Sequence, residues 1–265
     1  MGLKHTLNHS LSNVVSGLGG ALKARSLPSH FNGMWVRFSL KCWAALHQKY
    51  EPYMARALQA DLRPGGVFLD VGSHFGLWSV YAAGIVGRTG KVFAFEPSPA
   101  FAVLRENAAL NSPVQAFNMG LGAQDSEATF FDQGMASSGS FVNEVTRINE
   151  KFQSTVPIGG NKVKIRTLDT LVAELGVRPD LIKVDVEGFE FEVVRGAENV
   201  LRNIRPVMLI EIHPWQLKLS GSSDHALIAF LESRGYVFEV IDRNPNYPVY
   251  TILAKPTTAS KAASR

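Results

Sequence analysis

Val67-Phe68-Leu69-Asp70-Val71-Gly72-Ser73-His74-Phe75-Gly76 is the stretch on which the fold of this chain turns. An apolar run ends in an acid, two glycines follow at Gly-x-x-x-Gly spacing, and Leu77-Trp78-Ser79-Val80-Tyr81-Ala82-Ala83 reads as a helix. This is the pattern of a buried parallel strand, a tight turn and a helix entry. Glycine lets a ligand approach the backbone closely, and a helix N-terminus offers unpaired N–H groups. The spacing differs from the Gly-x-Gly-x-x-Gly dinucleotide fingerprint, and no Gly-Lys-Ser/Thr follows to make a P-loop. Alone, the turn implies a nucleotide-like ligand and nothing finer.

Downstream, apolar runs alternate with helical stretches, the signature of a doubly wound parallel sheet. The second predicted strand, 91–95, ends at Glu96; Ser98 and Pro99 suit the cap and first position of a helix reaching residue 110. Further strands are predicted over 114–118, 181–185 and 206–213, and helices over 168–175 (capped by Thr167, closed by Gly176), 189–196 and 224–234. Residues 236–241 and 249–254 form a last hairpin. The alternation breaks over 120–165, where 128–131 and 162–165 look like short strands around a polar span. Such an insert is commonly a functional loop or an extra hairpin. Ahead of the first strand, Trp43, Leu46, Tyr50, Tyr53, Met54 and Leu58 fall at helical spacing and predict an amphipathic helix over 43–58. Residues 1–40 are read as an N-terminal extension, a frayed helix around Leu7–Leu18 or a lid. The main domain then covers 41–254, and 255–265 is a mobile basic tail.

A chain of 265 residues, 46% hydrophobic and 19% charged, holds enough apolar material for one large α/β domain. Its formal net charge of +4 sits partly at the ends and fits a solvated surface better than a nucleic-acid footprint. The single cysteine, Cys42, excludes an intrachain disulfide and a cysteine-based metal cluster. No apolar run approaches the ~20 residues that cross a bilayer, and no secretory h-region is evident. A cytoplasmic protein with neither membrane nor nucleic-acid partner is expected. Met1-Gly2-Leu3-Lys4-His5-Thr6 fits the loose myristoylation pattern, with nothing else in the chain to support it.

Ligands of doubly wound sheets lie outside the carboxyl ends of the strands. Asp70, Glu96, Asn118, Asp185, and Glu211 with His213 end successive predicted strands. Glu96, twenty residues beyond Gly76, can accept both hydroxyls of a ribose.

Taken in order, "FLDVGSHFGLWS", "VFAFEPSP", "IKVDVEGFEFEVVRGA" and "LIEIHP" resemble the FkbM family of S-adenosylmethionine-dependent methyltransferases, over roughly residues 50–215. The resemblance implies an α/β, doubly wound, mostly parallel seven-stranded sheet of the Rossmann-like methyltransferase type, with a C-terminal antiparallel strand and an inserted hairpin region. It implies S-adenosylmethionine as cofactor. Asp70, Gly72 and Gly76 would form the cofactor turn with Ser73 and His74 between them, Glu96 would meet the ribose, and Asn118 and Met119 would lie near the adenine. His74 stands where many relatives are expected to carry Asn. Asp185 and Glu187 would face the methyl acceptor, expected to be a small hydroxylated molecule, a sugar or a polyketide-like alcohol.

Methyl transfer to a hydroxyl needs an aligned acceptor and a base for its proton. Asp185, Glu187 and His213 are the candidates, and His213 has the most suitable unperturbed pKa. Each has a plainer alternative: His213 bonded to a backbone carbonyl, Glu187 capping the next helix. Lys183 is expected to point outward or pair with an acid. Asp185, Glu187, Glu211 and His213 could together hold a divalent cation through hard ligands, but no metal ligand is assigned. Two other classes share the sheet. A nicotinamide-dependent oxidoreductase is disfavoured by the Gly72–Gly76 spacing. A nucleic-acid-binding protein is disfavoured by the small net charge and the lack of an Asn-Pro-Pro-aromatic motif.

Overall fold

The structure, a computed structural model, describes residues 26–39, 41–42, 51–132, 139–143, 145–146 and 158–257. The strands run in chain order as β1 (Ser26–Phe31), β2 (Met34–Ser39), β3 (Val67–Val71), β4 (Lys91–Phe95), β5 (Val114–Phe117) and β6 (Gly120–Leu121). They continue as β7 (Ser126–Asp132), β8 (Gly159–Arg166), β9 (Leu181–Val184), β10 (Val207–Ile212), β11 (Tyr236–Arg243) and β12 (Tyr250–Pro256). The helices are α1 (Pro52–Asp61), α2 (Leu77–Val86), α3 (Phe101–Leu110), α4 (Leu168–Leu175), α5 (Glu190–Arg195), α6 (Pro214–Leu219) and α7 (Asp224–Ser233).

Seven strands form one sheet in the order β11-β12-β10-β9-β3-β4-β5. The contacts from β10 through β9, β3 and β4 to β5 are parallel, and β12 and β11 close one edge antiparallel. Parallel strands are buried on both faces and read as near-continuous apolar runs. Their side chains still alternate between two cores. Phe68, Val92, Ala94, Leu181 and Leu209 pack on one face with α1 and α2. Leu69, Val71, Phe93, Phe95, Ile182 and Val184 pack on the other with α4, α5 and α7. The strand order changes direction at β3: β4 and β5 lie on one side, β9 and β10 on the other. That switch point is where a doubly wound sheet opens a crevice.

The elements differ from the predicted ones in four places. The helix predicted over 43–58 is, where described, α1, starting at Pro52; Glu51 has φ 43° and no side-chain cap bond. Proline lacks an N–H and sits well in a first helical turn, so it marks the start; positions 43–50 lie outside the described residues. Residues 26–39 form a hairpin whose turn, Asn32-Gly33, has φ 44° and 89°. That dipeptide is the strongest short-range hairpin signal. Phe31, Val36 and Phe38 are buried against α2 and α3, and Asn107 of α3 accepts from Ser39 N at 2.7 Å. The weak periodicity at Leu7–Leu18 lies outside the described residues. Ser98 caps a turn rather than α3 itself: its Oγ accepts from Ala100 N at 3.1 Å, and the helix starts at Phe101. Finally, α6 and a π-turn at Val200–Ile204 had no predicted counterpart.

The insert forms its own three-stranded sheet, β6-β8-β7, at the carboxyl edge of the main one. Lys255 and Pro256 belong to β12, and 258–265 lie outside the described residues. Among the described residues no helix is long and apolar enough to cross a membrane.

Candidate active site

The turn after β3 is held by backbone bonds. Gly72 N and Ser73 N both donate to Phe95 O, at 3.0 and 3.1 Å, and Gly76 N donates to Ser73 O at 2.7 Å. Gly72 has φ 79°, and a Cβ there would overlap the Asp185 carbonyl oxygen at the end of β9. Two strand ends can approach this closely only without a side chain between them. Gly76, the N-cap of α2, also has φ 79°, and a Cβ there would press on the tip of the Leu104 side chain. Ser73 Oγ donates to Asp70 O at 2.6 Å, closing the turn from inside.

A cleft with a free volume of about 100 Å³ opens in front of this turn. Gly72, His74, Glu96 and Met119 line it, with Asp185 and Glu187 facing them and Phe130 and Phe141 of the insert region forming a wall. Glu96 is only 5% exposed. Its Oε2 accepts from His74 N at 2.7 Å and its Oε1 from Ser98 N at 2.9 Å, which leaves each oxygen a further lone pair. Asp70, Ser73, Gly76 and Asn118 are not on the cleft wall. They stand behind it and give it shape: Asn118 Nδ2, for example, donates to Glu96 O at 2.9 Å and ties the end of β5 to that of β4.

Behind the cleft lie two buried cations. Lys183 pairs with acids, as one of its two expectations had it. Its ammonium stands 3.2 Å from Asp70 Oδ1 and 3.4 Å from Asp185 Oδ2, and donates to Gly72 O at 3.0 Å. Burial opposes this charge, but Asp70 and Asp185 outweigh it and hold the lysine above its ordinary range. Asp70 itself is fully buried and accepts from Ser79 Oγ at 2.5 Å.

His213 is the second. Its Nδ1 lies 2.8 Å from Glu190 Oε1, and its Nε2 lies 3.7 Å from Glu187 Oε2. Burial opposes protonation, yet Glu187, Glu190 and Asp185 together raise its pKa well above 6.5. The ring is sandwiched between acids that favour its protonated form, and it is absent from the cleft wall. This setting favours the charged ring, whereas a base must be neutral. Glu190 was not singled out from sequence; its position three residues after Glu187, in the first turn of α5, was the available signal.

The four residues considered for a cation are also divided. Asp185 and Glu187 face the cleft, while Glu211 opens into a separate recess with Glu51, Tyr53, Arg56 and Asp242. There burial and then Asp185 push the Glu211 carboxyl up to about 8. Among the described residues no group of three or more His, Cys, Asp or Glu is arranged to hold a metal ion.

The methyltransferase FkbM domain matches residues 70–238. The hexuronic acid methyltransferase AglP of Haloferax volcanii is 28% identical over 201 residues, covering 73% of this chain and 77% of that protein. Methyltransferase 1 of Beauveria bassiana is 27% identical over 205 residues, 71% and 80% of the two chains. The AMB antimetabolite synthetase AmbE of Pseudomonas aeruginosa is 27% identical over 240 residues, but this chain spans only 11% of its length. A crystal structure of an FkbM methyltransferase from Methylobacillus flagellatus superposes with a TM-score of 0.49 at 14% identity, over 81% of this chain and 53% of that one. The domain match covers more than half of the sequence and includes both the Asp70–Gly76 turn and the Asp185–Glu190 segment: this chain belongs to the FkbM methyltransferase family.

Proposed function

We propose that the chain methylates a hydroxyl group of a small, hydroxylated molecule, with S-adenosylmethionine as the methyl donor. The observation that carries this reading is the meeting of two sets of groups in one cleft. One is the glycine turn with Glu96; the other is the pair of carboxylates Asp185 and Glu187 opposite. The first set suits the cofactor. A side chain at Gly72 would fill the ground beside the Asp185 carbonyl, and Glu96 keeps lone pairs that suit ribose hydroxyls. His74 and Met119 complete that wall.

S-adenosylmethionine supplies an electrophilic methyl group on a sulfonium. What the protein adds is alignment and a destination for the proton. Asp185 and Glu187 can each accept a hydrogen bond from an acceptor hydroxyl, orienting its oxygen for in-line attack. Either carboxylate could then take up the proton that the acceptor hydroxyl loses on methylation. His213, held between two acids, supports the wall from behind. The named substrate of AglP, a hexuronic acid, is a polyhydroxylated sugar and supports an acceptor of that general class.

Isothermal titration with S-adenosylhomocysteine tests the cofactor half, and absence of binding at sub-millimolar concentration refutes it. A mass-spectrometric screen of sugars, sugar acids and aliphatic alcohols for the gain of one methyl tests the acceptor half.

A further inference from the structure

Two charge chains of the same design end at the cleft. In one, fully buried Asp70 backs Lys183, and Lys183 backs Asp185 at the rim; in the other, fully buried Glu190 backs His213, and His213 backs Glu187. Side-chain exposure runs 0%, 4% and 30% along the first and 0%, 5% and 24% along the second. A cation and one buried acid already make a neutral pair. The third member of each chain is an additional acid held at the mouth of the cleft. In the first chain the cation is a lysine, which at neutral pH cannot serve as a base. His213 occupies the corresponding place in the second.

The turn that carries Glu187 is fixed on several sides. Glu187 has φ 50°, a conformation that costs a non-glycine residue energy and persists only where its surroundings enforce it. Gly188 N donates to Glu190 Oε1 at 2.8 Å, the same oxygen that meets His213 Nδ1. Ser220 Oγ donates to Gly188 O at 2.8 Å, and Ser140 Oγ to Glu187 O at 3.2 Å. The backbone of the turn, the buried acid and the imidazole thus form one connected unit.

We propose that His213 is a positioning residue: a buried imidazolium that bridges Glu190 and Glu187 and holds the Glu187 carboxylate at the acceptor side of the cleft. This rests on the reading of Glu187 as an acceptor-facing acid. It separates two roles by the sign of their pH dependence. A histidine base works only when neutral, so activity rises as it loses its proton. A positioning imidazolium works only when charged, so activity falls as it loses its proton. The charged groups facing the ring are Glu187 and Asp185 from the turn after β9, and Glu190 from α5; Glu211 is two residues back on β10.

The test is nitrogen NMR of the full chain labelled with ¹⁵N-histidine, titrated from pH 5 to 10, with the His213 signal identified by its loss in His213→Gln. At pH 7.5 both ring nitrogens carry protons, and Glu187→Gln lowers the titration midpoint by at least about one unit, a tenfold loss of proton affinity. Glu190→Gln lowers it as well. A neutral ring at pH 7.5, or a midpoint that Glu187→Gln leaves in place, overturns the proposal. Calorimetry with S-adenosylhomocysteine on the same samples keeps the two readings apart. Lack of binding defeats the methyltransferase reading while the ring titration still decides the role of His213; binding with a neutral ring defeats this proposal alone.

Discussion

Lys183→Met is the sharpest test of how the site is held together. Methionine keeps the length and most of the volume of the side chain and deletes only the ammonium. That group now stands 3.2 Å from Asp70 Oδ1, 3.4 Å from Asp185 Oδ2 and 3.0 Å from Gly72 O. The acids it leaves behind fare differently. Asp185, with its side chain 30% exposed, can turn to water. Asp70 cannot: it is fully buried, and its Oδ1 has no hydrogen-bond partner apart from the ion pair. Removing one member of a buried pair in this way costs about 3–5 kcal/mol, most of it the price of an uncompensated charge. For a domain of this size that corresponds to a melting point lower by about 6–20 °C.

The double variant Asp70→Asn/Lys183→Met separates that cost from loss of packing. Asparagine still accepts the Ser79 hydroxyl now bonded at 2.5 Å and buries no charge. It is expected to regain at least about 2 kcal/mol over Lys183→Met, a coupling of the size seen between residues in direct contact. Urea unfolding of wild type, both single variants and the double variant gives the complete cycle. A loss below about 1 kcal/mol for Lys183→Met, or a double variant no more stable than the single, refutes the claim that this cation secures the site.

Three further outcomes are expected. Gly72→Ala, at φ 79° and against the Asp185 carbonyl, should abolish S-adenosylhomocysteine binding by calorimetry and destabilise the fold by about 2–4 kcal/mol, combining backbone strain and overpacking; an alanine variant that binds normally removes the turn from the cofactor site. Glu96→Ala should weaken the same binding by about 1.5–3 kcal/mol, roughly 10- to 150-fold, the range for hydrogen bonds to a charged group; unchanged affinity takes Glu96 off the ribose. Stability should fall as pH rises. Glu211, raised to about 8, holds its proton in the folded state but not in the unfolded chain between about 4.5 and 8, and His213 does the same from 6.5 upward. In both windows the native state binds more protons, so its stability is whole below the unfolded value and is lost through the folded one. Melting curves across that range should slope downward, Glu211→Gln should flatten the lower part, and a rising slope contradicts the assignment.

The side of the cleft proposed for the cofactor was legible because it is built from local backbone. Strand, acid, glycine turn and helix follow within twenty residues, and Gly72 reveals its constraint by its identity alone. The same holds for the helix over 168–175, where Thr167 accepts from Thr170 N at 3.0 Å and Gly176 takes φ 61°. The hairpin at 26–39 is also written locally, in Asn32-Gly33, although helical periodicity says nothing of it. The acceptor side was harder to read because its meaning lies between strands. His213 looks like a base from its ordinary pKa, and only the positions of Glu187 and Glu190 reverse that. No local pattern brings residue 213 within 2.8 Å of residue 190.

One long-range pairing did have a sequence handle. Side chains on a strand alternate between faces, so in Phe68-Leu69-Asp70-Val71 the acid shares a face with Phe68, which packs toward α1 and α2. In Leu181-Ile182-Lys183-Val184 the lysine shares a face with Leu181, which packs in the same core. The parallel register sets Asp70 beside Lys183 and Lys183 beside Leu209, so Glu211, two residues beyond, falls on that face as well. Three neighbouring strands therefore send an ionisable side chain to one face of the sheet, near their carboxyl ends. An acid within an otherwise apolar buried strand requires a partner, and Lys183 is the cation that the register brings to it. Its second contact, with Asp185, carries this internal neutralisation out to the cleft. On the proposed reading, the acid that makes the Asp70–Gly76 turn recognisable acts on the cofactor site from behind, through the lysine, and Glu96, Asp185 and Glu187 form the reactive face.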